Sequence, residues 1–164
     1  MSHPHAGTER PVAVFVVTCS DSRTLEDDES GKLAERLFSL AGHTVLGRLV
    51  VRDEPDEIAR ALRESLPEET EAVLVNGGTG ISRRDRTFDA LVRLLDKRFD
   101  GFGELFRMLS FAEVGPAAML SRASAGLWNG RVVFSVPGSP AAVRLALEKL
   151  ILPELSHAVR EAAK

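Results

Sequence analysis

The chain has 164 residues, of which 44% are hydrophobic and 27% are charged, and these values are typical of a globular domain rather than a collagen-like, coiled-coil or disordered chain. Its one cysteine, Cys19, excludes an internal disulfide and favours a reducing compartment. The net charge of −3 at pH 7 and the 5% aromatic content argue against a nucleic-acid partner. The apolar residues 12–17 are too few to cross a bilayer, and residues 1–10 lack the apolar core of a signal peptide, so we expect a cytoplasmic protein with no membrane partner.

The first half of the chain predicts strands that alternate with helices. Residues 12–17 form an apolar run without polar alternation, which indicates a strand buried on both faces. A helix is predicted over residues 30–41, with Ser30 as its N-cap and Gly42 directly after its end. The pattern then predicts a strand over residues 44–51, a helix that begins at Pro55 and stops at Pro67, and a strand over residues 72–75.

The second half continues with shorter elements. Asn129-Gly130 is typical of a tight hairpin turn, and Ser139 with Pro140 is typical of a helix start, while Pro153 is expected to kink or end that last helix. The predicted elements are a helix over residues 86–97, a break at residues 101–103, helices over residues 104–111 and 117–125, a strand over residues 131–136 paired with residues 127–128, and the last helix from residue 140.

This alternation predicts an α/β fold, with helices on both sides of a mostly parallel central sheet in three α/β/α layers. We expect residues 1–10 to form a flexible tail and residues 11–164 to form a single domain. Ligands of such sheets bind outside the carboxyl ends of the strands. Polar or glycine-rich loops follow predicted strands at residues 19–29, 76–85 and 137–140, so we expect a binding site where these loops converge.

The sequence Gly77-Gly78-Thr79-Gly80 is the first candidate for a binding loop. Glycines let the backbone approach a ligand closely and turn its amide groups outward, and the helix predicted next would place its N-terminus beside a bound anion. The loop lacks the Gly-Lys-Ser/Thr ending of a Walker A loop and the G-x-G-x-x-G pattern. A plain turn between a strand and a helix explains these residues equally well.

Asp85 lies among Arg83, Arg84 and Arg86, a few residues after the glycine-rich loop. A carboxylate beside a phosphate-binding loop could hold Mg²⁺, which prefers one or two carboxylates together with phosphate oxygens. Taken alone, Asp85 is better explained as the N-cap of the next helix. The arginines could clamp phosphate oxygens or form a solvated face. Asp53 follows the second strand and, taken alone, is better explained as a first-turn acid of a helix than as a catalyst.

Two other loops offer polar groups at strand ends. Ser20 and Asp21 follow the first strand and are well placed for ligand contact, whereas Asp27 and Asp28 are better explained as acids that favour the start of the next helix. Residues 137–140 form a rigid turn before a helix whose amides could bind an anion, although a strand-to-helix junction needs no ligand.

Other kinds of catalytic site find little support in the sequence. Cys19 has no histidine near it and is expected to behave as a small buried hydrophobic residue. The histidines lack the spacing of metal ligands, and the absence of a G-x-S-x-G motif argues against a serine hydrolase.

Taken together, the motifs of the chain resemble those of the molybdopterin-binding MoaB/Mog family. The resemblance covers roughly residues 11–156, and the stretch at residues 101–111 looks more like the MoaB branch than the Mog branch. The matching motifs occur, in family order, at residues 18–21, 27–31, 77–80, 84–87, 101–111, 120–122, 125–126 and 136–139.

The resemblance implies an activity and a set of site residues. The family activity is Mg²⁺-dependent adenylylation of molybdopterin by ATP with release of pyrophosphate. By resemblance, Asp53 and Asp85 are the catalytic carboxylates, and Asp85 serves the Mg²⁺ ion. The glycine-rich loop, made of Gly77, Gly78, Thr79 and Gly80, would cradle the nucleotide phosphate, and the remaining substrate-binding residues would be Ser20, Asp21, Glu104, Ser121, Pro137, Gly138 and Ser139.

The resemblance also implies partners. It favours a homotrimer or homohexamer, and Phe102, Leu105 and Phe106 would suit either such an interface or a core. The product would pass to a molybdenum-insertion protein. An alternative is a molybdopterin-binding or carrier protein of the same pathway without catalytic activity. Phe88 departs from the family pattern, because a proline usually follows the threonine that is Thr87 here, and the next helix then lacks proline's preset φ.

Overall fold

The computed structural model describes residues 10–164, so the predicted tail lies outside the described residues except for Arg10. Arg10 is tied to two elements of the fold. Its guanidinium donates to the Glu71 carboxylate (Nη1 to Oε2, 3.0 Å), and its carbonyl accepts a hydrogen bond from the Ser156 hydroxyl (3.0 Å). Residue 10 therefore belongs to the folded unit rather than to a tail.

The strands found within residues 10–164 form one six-stranded sheet. They are β1 (Ala13–Cys19), β2 (Thr44–Val51), β3 (Ala72–Asn76), β4 (Lys97–Arg98), β5 (Ser124–Trp128) and β6 (Arg131–Val136). Their order across the sheet is β2-β1-β3-β6-β5-β4. The first four strands in this order are mutually parallel, whereas β5 runs antiparallel to β6 and β4 antiparallel to β5. The mostly parallel sheet predicted from the sequence is confirmed.

Helices cover both faces of this sheet. They are α1 (Glu29–Leu40), α2 (Pro55–Arg60), α3 (Thr87–Leu94), α4 (Asp100–Val114), α5 (Pro140–Ala146) and α6 (Leu152–Ala162). A π-helical turn, Ala61–Ser65, extends α2; a 3-10 helix, Gly115–Leu120, follows α4; and a second π-helical turn, Leu147–Ile151, joins α5 to α6.

Alternate residues of β1 belong to two separate hydrophobic cores. Val14 and Val16 pack in the core that contains residues of α1, α5 and α6, whereas Phe15 and Val17 pack in the core formed with α2 and α3. Both faces of the strand are thus buried, which explains its continuous apolar sequence. The two cores with the sheet between them confirm the predicted three-layer architecture.

The strand order reverses at β1, since β2 lies on one side of it and β3 on the other. The loops that follow β1 and β3 therefore diverge and leave a crevice at the carboxyl edge, where ligands of open α/β sheets bind. The register pairs Thr18 with Asn76 and Asn76 with Val136, so β1, β3 and β6 end level with one another. The three predicted loops accordingly start from one edge of the sheet.

The start of α1 differs from the prediction, because its N-cap is Asp28 and not Ser30. The Asp28 carboxylate accepts a hydrogen bond from the Gly31 amide (2.9 Å). Ser30 is instead engaged with a distant loop, where its hydroxyl donates to the Gly138 carbonyl (2.6 Å). Gly42 has a φ of 84° directly after the end of the helix, as its predicted role requires.

The helix predicted over residues 86–97 was too long. α3 ends at Leu94, and residues 97–98 form the short edge strand β4. Backbone pairing with β5 competes successfully with the helical pattern here, since the Asp96 amide donates to the Leu127 carbonyl (2.7 Å) and the Phe99 amide to the Ala125 carbonyl (2.8 Å).

The predicted break at residues 101–103 is wrong, because α4 begins at Asp100 and continues to Val114. Gly103 lies inside the helix, where a Cβ atom would lie 2.5 Å from the Ala123 carbonyl oxygen. The glycine therefore allows the helix to approach the start of β5 rather than interrupting it. The helix predicted over residues 117–125 is replaced by a 3-10 helix that ends at Leu120 and by β5, which begins at Ser124.

The end of the chain follows the prediction more closely. Asn129 and Gly130 have φ values of 47° and 73° and connect β5 to β6 in a tight hairpin. The Ser139 hydroxyl accepts a hydrogen bond from the Ala142 amide (3.2 Å) and caps α5, with Pro140 at its start. Pro153 lies in the first turn of α6, directly after a π-helical turn, so the helical path continues past the proline.

The two glycines at the start of α4 provide a matched test of its approach to β5. Gly103→Ala is expected to lower the free energy of unfolding by about 1–3 kcal/mol, because the added methyl group meets the Ala123 carbonyl. Gly101→Ala, where a Cβ atom would meet nothing within 4 Å, is expected to be neutral or to stabilise by up to about 1 kcal/mol. Urea unfolding measures both; equal effects of the two substitutions would contradict the packing role of Gly103.

Candidate functional site

A cleft of about 380 Å³ lies at the carboxyl edge of the sheet. We call it the glycine cleft; its lining residues are Thr18, Cys19, Ser20, Ser22, Arg23, Asn76, Gly77, Gly78, Gly138, Ser139 and Pro140. The loops after β1, β3 and β6 all contribute residues to this cleft. These three loops therefore converge, as predicted from the sequence.

The glycines of the glycine-rich loop lie so close to neighbouring atoms that a Cβ atom on any of them would collide with those atoms. Gly77 has a φ of 103°, and a Cβ atom on it would overlap the Cys19 carbonyl. A Cβ atom on Gly138 would lie 3.1 Å from the Cα of Gly77. The Gly77 amide donates to the Val136 carbonyl (2.9 Å). A plain turn between a strand and a helix would not require these contacts. Through them, Gly77 joins the ends of β1, β3 and β6.

A chain of buried polar side chains supports the floor of the glycine cleft. The Asn76 side-chain amide donates to the Thr18 hydroxyl (2.9 Å), and that hydroxyl donates to the Asp28 carboxylate (2.8 Å). Arg48 donates to the same carboxylate oxygen (2.9 Å) and balances its charge. Because the three interior groups are fully or almost fully buried, this chain fixes the end of β1 against the start of α1.

The loop at residues 137–139 is fastened to the loop after β1. Arg23 donates through Nη1 to the Gly138 carbonyl (3.1 Å) and to the Ser30 hydroxyl (3.2 Å), while Ser30 donates to the same carbonyl. Arg23 lies in the candidate loop at residues 19–29, but no role is predicted for it from the sequence. Its partner is 115 residues away along the chain, so no local pattern indicates this contact.

Asp53 lies at the start of α3, although it follows β2 in the chain. Its Oδ1 atom accepts hydrogen bonds from the Thr87 hydroxyl (2.8 Å) and the Arg86 amide (3.2 Å), and its own amide donates to the Asp21 carboxylate (3.2 Å). The side chain is only 8% exposed. Asp53 is thus not a first-turn acid of α2; its carboxylate is bonded to the start of α3 and lies against Gly78.

Asp85 does not cap α3, and the alternative that made it the N-cap is wrong. The N-cap is Arg86, which forms no side-chain capping bond. Asp85 instead folds back over the glycine-rich loop, where its Oδ2 atom accepts a hydrogen bond from the Ser82 amide (2.9 Å) and would lie 2.8 Å from a Cβ atom on Gly80.

Asp85 borders a second cleft, of about 410 Å³, which we call the Asp85 cleft. Its lining residues are Ile81, Ser82, Arg83, Asp85, Arg86, Asp89 and Arg122. Arg84 lies outside this lining and is paired with Asp21 at 3.7 Å, and Arg86 is paired with Glu54 at 3.4 Å. Both ion pairs are exposed and therefore weak, so these arginines can turn towards an anion at little cost.

Glu104 and Ser121 border a third cleft, of about 430 Å³, beside α4. The residues that line this α4 cleft are Phe88, Arg98, Phe99, Asp100, Gly103, Glu104, Arg107, Met119, Ser121, Arg122, Ala123, Ser124 and Ala125. Arg122 lines both this cleft and the Asp85 cleft. The predicted site residues are therefore distributed over separate clefts, of which the Asp85 cleft and the α4 cleft share Arg122, while Thr79 is buried.

Phe88 has two contacts that bear on its departure from the family pattern. Its backbone amide donates to the Gly78 carbonyl (3.4 Å), a hydrogen bond that proline could not form. Its ring lies under the Arg122 guanidinium, with 4.7 Å between the Cζ atom and the ring centroid. Phe88 thus connects α3 to the glycine-rich loop and to the residues before β5.

The carboxylates present do not form a dedicated metal cage. Within residues 10–164, no group of three or more His, Cys, Asp or Glu side chains could hold a metal ion. Mg²⁺ commonly takes only one or two carboxylates and completes its coordination with phosphate oxygens and water. The half-buried carboxylate of Asp85 fits that pattern, whereas Oδ1 of Asp53 is already engaged by two donors.

Chain comparisons bear out the family suggested by the motifs. A sequence profile described as a probable molybdopterin binding domain matches residues 15–157. Molybdenum cofactor biosynthesis protein B of Bacillus subtilis (strain 168) is 51% identical over 151 residues, which cover 91% of this chain and 89% of the relative. The chain therefore belongs to the molybdopterin-binding domain family. Its similar relatives carry the name molybdenum cofactor biosynthesis protein B.

Solved structures agree with this assignment. A crystal structure of a molybdenum cofactor biosynthesis protein B superposes with a TM-score of 0.91 at 49% identity, covering 96% of this chain and 99% of the other. The tungsten cofactor synthesizing protein MoaB from Pyrococcus furiosus superposes with a TM-score of 0.86 at 36% identity, covering 94% and 99% of the two chains. Across residues 10–164, none of the helices is long and apolar enough to cross a membrane.

Cys19 is buried as predicted, and its environment makes stability depend on pH. Burial raises the pKa of the Cys19 thiol to about 12. In the unfolded chain the thiol has a pKa of about 8.5. Above that pH the unfolded state loses the proton while the folded state keeps it, and this lowers the free energy of unfolding. The free energy of unfolding should fall by about 2 kcal/mol more between pH 8 and pH 10 in the wild type than in Cys19→Ala. Parallel pH profiles of the two proteins would contradict this.

Proposed function

We propose that the protein acts in molybdenum cofactor biosynthesis by transferring the adenylyl group of ATP to molybdopterin with the help of Mg²⁺. The observation that carries this proposal is the placement of Asp53 and Asp85 against the two ends of the glycine-rich loop, at the carboxyl edge of the sheet. The names of the similar relatives place those proteins in molybdenum cofactor biosynthesis, which supports the substrate class.

The reaction needs positioning and charge neutralisation more than proton transfer. An oxygen of the molybdopterin terminal phosphate attacks the α-phosphorus of ATP, the bond from that phosphorus to the oxygen that bridges it to the β-phosphate breaks, and pyrophosphate leaves. The attacking oxygen is already anionic, so no strong base is required. Backbone amides and arginines that neutralise phosphate charge are the groups that accelerate such transfers.

Each of the three clefts would provide a different part of this chemistry. The glycine cleft offers the backbone of Gly77, Gly78 and Gly138, against which phosphate groups can lie closely. Asp85 would hold Mg²⁺, which when bound neutralises phosphate charge, while Arg83 and Arg86 add positive charge to the same cleft. Glu104 and Ser121 provide polar groups for the pterin in the α4 cleft.

The transfer is tested directly by incubating the purified protein with molybdopterin, ATP and Mg²⁺ and measuring adenylylated pterin and pyrophosphate. Asp85→Asn keeps the size of the side chain but removes its charge, and we expect it to lower turnover by about 10²–10³-fold without loss of folding. Glu148→Gln, an equivalent change on an exposed surface of the π-helical turn after α5, is the control and should match the wild type.

The outcomes separate the two functions that the family resemblance allows. Product in the wild type that is lost in Asp85→Asn supports the transferase and the role of Asp85. Wild-type turnover in Asp85→Asn contradicts that role. Tight binding of molybdopterin without any product would instead support a binding or carrier function in the same pathway.

We also propose that copies of the chain associate through α4, as a homotrimer or homohexamer. Phe106 belongs to the core and cannot serve such an interface, while Phe102 is partly buried against it. The large exposed apolar side chains of this region are Leu105, Met108, Phe111, Val114, Met119 and Leu120. Apolar side chains grouped in this way commonly mark an interaction surface.

Sedimentation velocity tests this association. Phe111→Glu places a charge in the proposed interface and is expected to shift the protein towards the monomer. Leu40→Glu, which alters an exposed leucine of α1, should leave the oligomer unchanged. An unchanged oligomer in Phe111→Glu, or a monomeric wild type, would contradict the proposal.

A further inference from the structure

One side chain, that of Arg122, holds both ends of the segment that carries Asp85. Its Nε atom donates to the carbonyls of Gly80 (3.0 Å) and Thr79 (3.4 Å), and its Nη2 atom donates to the Asp85 carbonyl (2.7 Å). The Arg122 backbone amide also donates to the Thr79 carbonyl (3.2 Å). The guanidinium thus joins the two ends of the loop formed by residues 79–85 and holds them together.

The guanidinium is itself fixed by the first turn of α3. Its Nη1 atom donates to both carboxylate oxygens of Asp89 (3.2 and 3.0 Å), and its plane lies over the Phe88 ring. The Arg122 side chain is only 27% exposed, and its planar fork matches these partners in a way that a lysine ammonium could not. Every nitrogen of the guanidinium has an acceptor, which leaves little capacity for direct contact with a substrate.

Residues 81–84 between these contacts are exposed and form few other bonds to the fold. The Ser82 amide donates to the Asp85 carboxylate, and the Asp85 amide donates to the Ser82 carbonyl (3.1 Å), so both bonds lie within the loop. The direction of the Asp85 carboxylate therefore depends on what fixes the loop from outside. The hydrogen bonds that do so come from Arg122 and from the bond of the Arg86 amide to Asp53, whereas the ion pairs of Arg84 with Asp21 and of Arg86 with Glu54 are exposed and weak.

We propose that Arg122 is a positioning residue that directs the Asp85 carboxylate and the glycine-rich loop towards the reacting phosphates, with Asp89 and Phe88 holding its guanidinium in place. Its effect on the reaction rests on the proposed adenylyl transfer. Its effect on the loop does not, so the two can be tested separately.

The loop is tested first, by hydrogen exchange of the peptide that covers residues 79–86. Arg122→Lys keeps the positive charge but removes the fork that binds the carbonyls of Thr79, Gly80 and Asp85. The loop should then open more often, so amide exchange of this peptide should become about tenfold faster or more. Phe88→Leu should accelerate it by about three- to fivefold, whereas Phe88→Tyr, which keeps the ring face, should match the wild type. Arg144→Lys, at an exposed ion pair with Glu148, is the control and should leave this peptide unchanged.

Steady-state kinetics then separate positioning from binding. A misdirected carboxylate weakens transition-state stabilisation, so Arg122→Lys should lower kcat by about tenfold or more while KM for ATP changes by less than about threefold. Asp89→Asn should reproduce the pattern with a smaller loss of kcat. Circular dichroism of each variant measures the folded fraction, by which kcat is corrected.

Each result decides the inference. Wild-type exchange of residues 79–86 in Arg122→Lys would overturn it, and so would a raised KM for ATP with unchanged kcat, which would make Arg122 a direct substrate ligand. If the wild type shows no adenylyl transfer, the proposed function fails, and hydrogen exchange alone decides whether Arg122 positions the loop. If Arg122→Lys does not fold, Asp89→Asn and Phe88→Leu provide the same two measurements.

Discussion

The contact of Gly77 with the Cys19 carbonyl and with Gly138 is the constraint on which the site depends. It brings the backbone after β3 against the end of β1 and the loop after β6, closer than any residue with a Cβ atom would allow. The level ends of these parallel strands make the approach possible. The loops can therefore form one continuous backbone surface, and the side chains that matter for chemistry project from its margins.

Of the three aspartates Asp28, Asp53 and Asp85, the first two hold elements of the fold together and the third does not. Asp28 is engaged by Thr18, Arg48 and the start of α1, and Asp53 is engaged by the start of α3. Buried carboxylates with such partners are stabilising only while those bonds persist. The Asp85 carboxylate accepts one hydrogen bond, from the Ser82 amide within its own loop, and so has capacity left for a ligand.

This division changes the meaning of a substitution at Asp53. Its replacement would remove two hydrogen bonds at the start of α3 and loosen the segment that carries Phe88, so a loss of activity would combine a structural effect with any chemical one. Asp85 lies on an exposed loop and can be neutralised with less disturbance of the fold. The family resemblance implies a catalytic role for both carboxylates, but their local structures are different.

Periodicity and turn chemistry were sufficient to predict the layers of the fold and the edge where the site lies. The bounds of β2 matched the prediction, and so did the hairpin at Asn129-Gly130, because both depend on local sequence. The errors arose where distant contacts overrode local preference. Asp28 rather than Ser30 caps α1 because Ser30 is bonded to Gly138, and α4 includes its glycines because Gly103 packs on Ala123.

The site was predictable in the same uneven way. Its glycines, Ser20 and Asp85 stand in recognisable loops, and the family resemblance supplied roles for them. The contacts of Arg23 and Arg122 join residues more than thirty positions apart, and a charged side chain in a loop gives no local sign of such a partner. Periodicity reports which face of an element is buried, and it does not report which polar groups meet across the fold.

The first turn of α3 connects the parts of the site that the clefts separate. Thr87 binds Asp53, the Phe88 amide binds the Gly78 carbonyl, and the Phe88 ring and Asp89 hold Arg122. A ligand that displaces the glycine-rich loop must therefore move this turn or break its bonds. Arg122 also lines the α4 cleft, together with Glu104 and Ser121. This turn therefore contacts the glycine-rich loop on one side and, through Arg122, a wall of the α4 cleft on the other.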